Sequence, residues 1–410
     1  MRICLRSIGL DIHRDLIFIT ILSIADGTVV QYEISTREEH FRAFLATLSL
    51  DDQVALEATR GSSYYVDQLS TRVAKVLVAN PNKLAINKKA KNDRNDSLTL
   101  ALQLASGTLP TVWIPDRETR QDRELLRHRN NVVQQQTRLK NRMRALLAEH
   151  GMSWSGSDIQ GRGAELFLAK LRARLPIVTQ GVLSDLLDEL NVLEARLKQV
   201  DQVIEVRAER WPQLPLLMTI RGINVLTAFT ILAAIGDISR FPTADSLANY
   251  AGLTPSDHSS GGKIHCGKVT KAGSKMLRWA LTEAVQSLCR VDGPYRNLCK
   301  RLDRKGKGKG TSATACARKL LTAIWCMLTR GELFHLNEPD LTESKAWRHK
   351  QRLKAAREVV EARKQRQREV LLGQLATIQE LSRRGTLMPV PKPLLTSFGR
   401  RLPEAVAATG

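Results

Sequence analysis

The sequence of 410 residues contains no run of about 20 apolar residues, the length that a membrane-spanning helix requires. The longest candidate, residues 16–24, is interrupted by Thr20 and Ser23 and follows a charged stretch. It therefore predicts a strand rather than the core of a signal peptide. We expect a cytoplasmic protein with no membrane partner.

Closely spaced cysteine pairs are also absent. The six cysteines form no C-x-x-C motif, which argues against a zinc ribbon, and a disulfide framework is not expected in so long a chain. The eight histidines show no cluster with metal-ligand spacing, and the lack of a Walker A motif gives no indication of ATP use. We expect reduced cysteines that pack mostly between helices: Cys4, Cys266, Cys289, Cys299, Cys316 and Cys326.

Positive charge is what the chain has in excess. It carries 63 Lys and Arg against 41 Asp and Glu, a formal net charge of +22. Such an excess is self-repulsive without a polyanion, and nucleic acid is the usual one. We therefore predict nucleic-acid binding whose affinity falls steeply with salt, with a logarithmic slope of roughly −0.9 per phosphate neutralised on duplex DNA.

Four acidic residues in the first hundred positions predict a metal site. Asp11 and Glu57 each follow a short apolar run typical of a buried strand, whereas Asp93 and Asp96 lie on one face of a helix-like stretch. Any one of them alone is typical of a helix cap or a surface charge. Together they repel one another unless a divalent cation neutralises them, and hard oxygen ligands suit Mg²⁺ or Mn²⁺. Two such ions, about 3.5–4 Å apart, can clamp a phosphodiester, so we predict a nuclease-like site.

The pattern along the chain predicts a multidomain α+β protein. Residues 1–118 alternate short strands and helices in the order of an RNase H-like α/β domain. Coiled-coil helices follow at 119–205, a mostly α-helical domain at 206–335 and a basic tail at 336–410. In the first domain we expect strands near 5–12, 16–24, 28–34, 53–57 and 75–79 and helices near 38–48, 62–73 and 93–106.

Two apolar seams lie in the second domain, and both repeat at three- and four-residue steps as in coiled coils. They leave two interpretations open. The helices can pack on each other within one chain, or they can dimerise and present a basic face to nucleic acid. The seams are Leu125, Val132, Leu139, Met143 and Leu146, then Leu183, Leu186, Leu190, Leu193, Leu197, Val200 and Ile204.

Residues 217–224 are typical of a helix-hairpin-helix, whose tight turn aims backbone N–H groups at a phosphate. Arg221 and Asn224 replace the first and last residues of the usual Pro-Gly-Ile-Gly, and the segment can also serve only as packing. The tail carries ten Lys or Arg against two Glu over 345–368, which is typical of a solvated or disordered basic helix.

A turn-rich loop at 250–263 contains three serines and leads into a basic helix. Ser, Thr, Lys and Gly backbone groups bind phosphate oxygens, so this composition indicates a phosphate-binding loop without singling out a nucleophile. The candidate nucleic-acid-binding residues of the hairpin and this loop region are Arg221, Gly222, Lys263, Lys268, Lys271, Lys275 and Arg278.

Short motifs cover most of positions 5–330: Gly9-Leu10-Asp11, Glu57-Ala58-Thr59, Asn80-Pro81, Lys91 through Asp96, Ala233 through Asp237, and Tyr250 through Pro255 with Ser260-Gly261. Together they resemble the DEDD transposases of the insertion sequence 110 and 1111 families, and the serine loop is closer to the 1111 branch. The chain departs from that pattern at Asn92, where Thr is commoner, at Arg60, where Gly is usual, and in the hairpin.

The resemblance implies a RuvC-like N-terminal domain with metal ligands at Asp11, Glu57, Asp93 and Asp96. It also implies a coiled coil and a C-terminal transposase domain whose catalytic serine falls at Ser260, next to Ser259. Members of these families are regarded as recombinases guided by a non-coding bridge RNA. We accordingly expect DNA and RNA partners, a homo-oligomer, and a location at the bacterial nucleoid.

Our leading hypothesis is a transposase that cuts and joins DNA by metal-assisted phosphoryl transfer with a serine nucleophile. A serine hydroxyl is a weak nucleophile and requires activation by a base or a metal. One alternative is a Holliday-junction-type endonuclease that uses the four acids and metal-activated water. Another is a non-enzymatic protein that bridges nucleic acids and keeps a relict metal site.

Overall fold

The computed structural model describes residues 5–59, 61–84, 92–153, 170, 174–257, 266–269 and 273–383. The chain divides into two compact units between Asp116 and Arg117. The first unit is built on a β-sheet and the second is mostly helical, so the mixed α+β class predicted from the sequence is confirmed. The finer division into four domains stays a prediction.

The first unit contains a six-stranded sheet in the order β3-β2-β1-β4-β5-β6. The neighbours β1, β4 and β5 are parallel, and the other pairs are antiparallel. This arrangement is consistent with an RNase H-like domain. The elements are β1 (Arg6–Ile12), β2 (Leu16–Ser23), β3 (Val29–Ser35), α1 (Glu38–Ala46), β4 (Asp52–Glu57), α2 (Ser62–Leu69), β5 (Lys75–Ala79), α3 (Asp93–Ala105) and β6 (Thr111–Val112).

The two faces of this sheet carry separate cores, because successive side chains of a strand point to opposite faces. On one face Ile8 and Leu10 of β1 pack with residues of α1 and α2, including Phe44 and Leu69. On the other face Ala55 of β4 packs with residues of α3. The alternation of each strand therefore decides which of its residues face α3.

Helix α3 lies directly against β1 at Gly9. A Cβ at Gly9 would lie 2.0 Å from the carbonyl oxygen of Ser97, so only glycine allows the backbones to approach this closely. A buried hydrogen bond of 2.8 Å between Thr20 Oγ1 and Ser97 Oγ fixes the helix beside this contact. Gln31 Nε2 donates to Thr20 Oγ1 and to the carbonyl of Arg94, at 2.9 Å in both cases.

The described residues of the second unit are helical apart from one short pair of antiparallel strands. In the described part of the chain no helix has the length and apolar character needed to cross a membrane. Its elements are α4 (Arg117–Glu149), α5 (Ile177–Ala208), α6 (Leu214–Met218), α7 (Val225–Ile235), a 3₁₀ turn (Ile238–Arg240), α8 (Ala244–Ala251), β7 (Pro255–Asp257), β8 (Cys266–Val269), α9 (Lys275–Leu288), α10 (Pro294–Arg304), α11 (Lys309–Arg330) and α12 (Pro339–Arg383).

The two predicted seams pack on each other within this chain. Leu183 and Leu190 of α5 are fully buried in one cluster with Met143 of α4. Arg129, a polar interruption of the first seam, donates to Asp201 of α5 at 2.6 Å. The intrachain interpretation thus accounts for the burial of both seams in the described residues, and pairing between chains stays a prediction.

The first part of the basic tail is a helix docked on the second unit, so the expectation of a solvated or disordered tail is corrected there. Lys345 Nζ donates to two backbone carbonyls next to α6, at 2.8 and 2.7 Å, and burial lowers its pKa to about 8. His349 and Arg352 contact Glu205 of α5 at 2.6 and 2.8 Å. Val360 is buried, whereas the positions from 361 to 370 are all exposed.

A buried carboxylate joins the start of α4 to the end of α5. Asp122 is fully buried and accepts hydrogen bonds from Arg207 Nε at 2.8 Å, Arg210 Nη1 at 2.5 Å and Trp211 Nε1 at 3.0 Å. Arg207 also reaches the more exposed Glu118 at 2.7 Å. Asp122 is therefore the buried counter-charge that Arg207 and Arg210 share.

We predict that Asp122→Ala destabilises the second unit by about 3–5 kcal/mol, because it removes the buried carboxylate that pairs with the partly buried guanidinium groups of Arg207 and Arg210. Glu118→Ala removes a half-exposed partner of the same Arg207 and should cost about 1 kcal/mol or less. Urea denaturation followed by tryptophan fluorescence would measure both. Equal midpoints for the two variants would contradict the proposed role of Asp122.

We also predict that Gly9→Ala displaces α3 and lowers the free energy of unfolding by about 3 kcal/mol, the upper end of the range for overpacked cores. The cost is high because the atoms that the new Cβ would meet first belong to the backbone of α3. Hydrogen exchange of the α3 amides should become faster. The control is Gly181→Ala in α5, where the added Cβ meets nothing within 4 Å. That change should stabilise its helix by about 0.5–1 kcal/mol and leave α3 exchange unchanged. Normal protection of α3 in Gly9→Ala would refute the close-contact argument.

Candidate metal centre and serine loop

Asp11 and Glu57 lie at the carboxyl ends of the neighbouring parallel strands β1 and β4. The strands pair with Leu10 beside Leu56, so the next residue of each is Asp11 and Glu57. Two residues earlier, Gly9 and Ala55 face α3. Because strand residues alternate between faces, Asp11 and Glu57 are placed on that same face.

Asp93 and Asp96 lie in the first turn of α3. The side chain of Asn92 caps this helix by accepting a hydrogen bond from the N–H of Arg94 at 3.1 Å. Asn is among the preferred N-cap residues, so the departure from Thr at this position keeps the capping function. Asp96 is buried and Asp93 is partly exposed.

The closest group in this region consists of Asp11, His13 and Asp93. His13 Nε2 lies 3.0 Å from Asp11 Oδ2 and 3.4 Å from Asp93 Oδ1. One ligand atom from each of the three residues lies within 4.8 Å of the others. Carboxylate oxygens and one imidazole nitrogen form a donor set that can hold a divalent cation.

His13 is the residue that the sequence analysis missed, and the expectation of no histidine in a ligand cluster is corrected. The sequence feature that could have identified His13 was its position two residues after Asp11. Residues i and i+2 of a strand share a face, so a histidine two positions after Asp11 points to the same side when the strand continues to Ile12.

The electrostatics of the group are those of carboxylates partly removed from water. Burial raises the pKa of Asp11 above its ordinary value, and the neighbouring charges of Asp93 and Asp96 act in the same direction. The hydrogen bond and charge of His13 oppose this shift. The three aspartates of the predicted set are thus close enough to influence one another, and Glu57 is placed with them by strand register.

The predicted nucleophile Ser260 lies outside the described residues, as do Ser259, Lys263 and Lys271 and the side chain of Lys268. The two ends of their loop are described, and they lie together. A Cβ at Gly273 would lie 2.1 Å from the carbonyl oxygen of Tyr250, and the N–H of Ser274 donates to that carbonyl at 3.1 Å. The loop therefore starts and ends at one point of the second unit.

Two of the residues predicted to bind nucleic acid lie just after this loop. Arg278 Nη1 donates to the carbonyl of Ala251 at 2.8 Å, so it holds the end of α8, and burial lowers its pKa. Lys275 is exposed.

A cavity of about 470 Å³ opens beside the ends of the loop. It is lined by two arginines of α4, Arg123 and Arg127, together with Tyr250, Ser274 and their neighbours. The described surroundings of the loop are therefore cationic, which suits a phosphate-rich ligand.

The predicted hairpin is used for packing within the second unit. Arg221 forms a two-contact ion pair with Glu338, with Nε and Oε1 2.7 Å apart. Gly222 has a φ of +86°, and a Cβ there would lie 2.6 Å from Ser287 Cβ of α9. Its first helix, α6, has only five residues. Phosphate binding by Arg221 and Gly222 stays a prediction, and for Arg221 it requires the ion pair to open.

Family comparisons agree with the site. Residues 8–152, which include all four acids, match a DEDD transposase family of the IS110 type, described as "Transposase". Residues 214–299 match a second family, described as "Transposase IS116/IS110/IS902 family". The two matches together include most of the first unit and part of the second.

Individual relatives span most of the chain. The transposase for insertion sequence element IS1111A of Coxiella burnetii is 26% identical over 343 residues, 80% of this chain and 91% of that protein. A probable family 20 transposase of Pseudomonas aeruginosa is 27% identical over 290 residues, 68% of this chain and 84% of that protein. A pilin gene-inverting protein of Moraxella bovis is 37% identical over 139 residues, 33% of this chain and 43% of that protein. The chain belongs to the IS110 family of DEDD transposases, enzymes of DNA transposition.

Proposed function

We propose that this transposase is a site-specific recombinase that cuts and joins the DNA of an insertion sequence with Ser260 as nucleophile, guided by a bridge RNA from the element. The observation that carries the proposal is the gathering of Asp11, Asp93 and Asp96 at the end of β1. Their mutual repulsion is unfavourable unless a cation is bound, and such sites are typical of phosphoryl transfer. Homo-oligomer formation belongs to the same proposal.

Asp11, Glu57, Asp93 and Asp96 would hold Mg²⁺ or Mn²⁺. When bound, such an ion supplies Lewis-acid stabilisation of charge on a phosphate oxygen. The chain's own contribution is to hold the carboxylates in place before the ion arrives. His13 does this for Asp11 through a 3.0 Å contact, and the capped first turn of α3 does it for Asp93 and Asp96.

The serine step stores the energy of the broken DNA bond. The Ser260 hydroxyl loses its proton as its oxygen forms a bond to phosphorus, the phosphorus–oxygen bond to one deoxyribose breaks, and the released sugar oxygen takes up a proton. A phosphoserine ester remains, so rejoining by attack of another sugar hydroxyl needs no nucleotide cofactor. Arg123 and Arg127, in the cavity beside the ends of the loop, are cations suited to stabilise the charge on the phosphate.

A second candidate function is hydrolysis of DNA junctions by metal-activated water, without a serine nucleophile. The acidic group at β1 and α3 favours it, because carboxylates that bind metal suffice for hydrolysis of a phosphodiester. The two functions differ in one product. The serine mechanism leaves a protein–DNA covalent adduct, whereas hydrolysis leaves none.

We predict that Asp11→Asn lowers recombination by about 100-fold or more, since it removes a metal ligand rather than a group that only orients one. DNA and RNA binding should stay nearly unchanged. The control is Asp15→Asn, at a turn position whose side chain is 85% exposed. Recombination on the cognate element and Mn²⁺ binding by calorimetry would be measured for both. Full activity in Asp11→Asn, or equal losses in both variants, would rule out the metal role.

We predict that Ser260→Ala abolishes both the covalent DNA adduct and recombination, because no other hydroxyl replaces the nucleophile. Ser259→Ala is the matched control and should keep both. Adducts trapped on a labelled element end would be separated by denaturing gel electrophoresis. Loss in Ser259→Ala alone would move the nucleophile to the neighbouring residue, and cleavage without any adduct in the wild-type protein would favour hydrolysis.

A further inference from the structure

Three cysteines that the sequence places far apart meet in the second unit. Cys289 follows the end of α9, Cys299 lies in α10, and Cys316 lies in α11. The Sγ atoms of Cys289 and Cys299 are 2.9 Å apart, and those of Cys299 and Cys316 are 3.0 Å apart. All three sulfur atoms lie within 4.8 Å of one another.

This cluster is more than the helix packing expected of reduced cysteines. Its members are 10 and 17 residues apart in sequence, which is why no close-spaced motif revealed them. Cys316 is fully buried, whereas Cys289 and Cys299 are partly exposed. An ion can therefore reach the sulfur atoms from solvent and keep one position for water or another ligand.

We propose that Cys289, Cys299 and Cys316 bind one Zn²⁺ ion in the second unit, as a three-thiolate site whose fourth position is open to water. Thiolates are soft ligands that select zinc, whereas the carboxylates of the first unit suit hard cations. A zinc–sulfur bond of about 2.3 Å in tetrahedral geometry separates the sulfur atoms by roughly 3.8 Å, so they need to move apart by less than about 1 Å. Binding replaces three S–H bonds with three Zn–S bonds and releases three protons, and no electrons are transferred.

A disulfide is the competing use of the cluster. Cys299 is shared by both close pairs, so only one bridge can form at a time, and its formation requires a two-electron oxidant. The sulfur distances also exceed the roughly 2.05 Å of a disulfide bond.

The site has a structural consequence for a basic segment. Cys299 and Cys316 flank the junction of α10 and α11, where Asp303 bonds to Ser312 at 2.6 Å. The metal would hold both ends of this junction to α9. Between the two cysteines lie six exposed cations: Lys300, Arg301, Arg304, Lys305, Lys307 and Lys309.

The test is a Co²⁺ titration of the reduced, metal-free, full-length protein. We expect a thiolate-to-cobalt charge-transfer band that saturates at about one equivalent, disappears when Zn²⁺ is added, and is accompanied by a higher Tm. Cys289→Ser should lose the band, and because Cys289 is partly exposed at a helix end it should still fold. Cys316→Ser should lose it as well.

Two controls separate the cluster from other sites. Cys326→Ser changes a cysteine of the same helix α11 outside the cluster and should keep the band. Asp11→Asn should also keep it, which distinguishes this site from the acidic one. Absence of the band in wild-type protein with all thiols reduced would overturn the proposal. So would an unchanged band in Cys289→Ser, or a Cys289–Cys299 disulfide as the only state found by mass spectrometry.

Discussion

The acidic group of the first unit depends on one close contact, the approach of α3 to β1 at Gly9. With no side chain between the two backbones, the first turn of the helix comes to the end of the strand, and Asp93 and Asp96 come to Asp11. The same turn reduces the repulsion that results, because the positive end of a helix dipole stabilises carboxylates in its first turn. The acidic cluster therefore depends on this contact. The hydrogen bond between Thr20 and Ser97 fixes the position of α3 on the sheet.

The acidic group carries negative charge, whereas the protein as a whole has a positive net charge. A chain with a net charge of +22 attracts a polyanion over its whole surface, yet the acidic group would repel a phosphodiester at short range. A divalent cation removes that conflict, because it neutralises the carboxylates and binds phosphate oxygens. Metal binding and productive DNA binding are then linked, whereas general DNA affinity, carried by the many Lys and Arg, is not.

Local patterns predicted the first unit well, and tertiary contacts account for what they missed. The strands and helices of the sheet follow from alternating apolar residues, and Asp11, Asp93 and Asp96 follow from their positions at element ends. His13 was missed because it lies one residue beyond the end of β1 and its contact with Asp93 depends on the docking of α3. The docking of α12 depends on Glu205 of α5, more than 140 residues away, and charge composition alone could not show that. The cysteine cluster joins the end of α9 to α10 and α11 across gaps of 10 and 17 residues, which are too long for a close-spaced motif to reveal.

The altered hairpin and the docked tail have a common explanation. Asn224 caps α7 by accepting from the N–H of Thr227 at 3.0 Å, and Arg221 binds Glu338 next to the start of α12. Lys345 of α12 then donates to the carbonyls of Met218 and Ile220, which both lie just before Arg221. Arg221 and these carbonyls already bind groups at α12, so the hairpin has fewer groups left to bind phosphate. In the proposed function, the phosphate contacts of the second unit are assigned to the cavity that Arg123 and Arg127 line beside the ends of the serine loop.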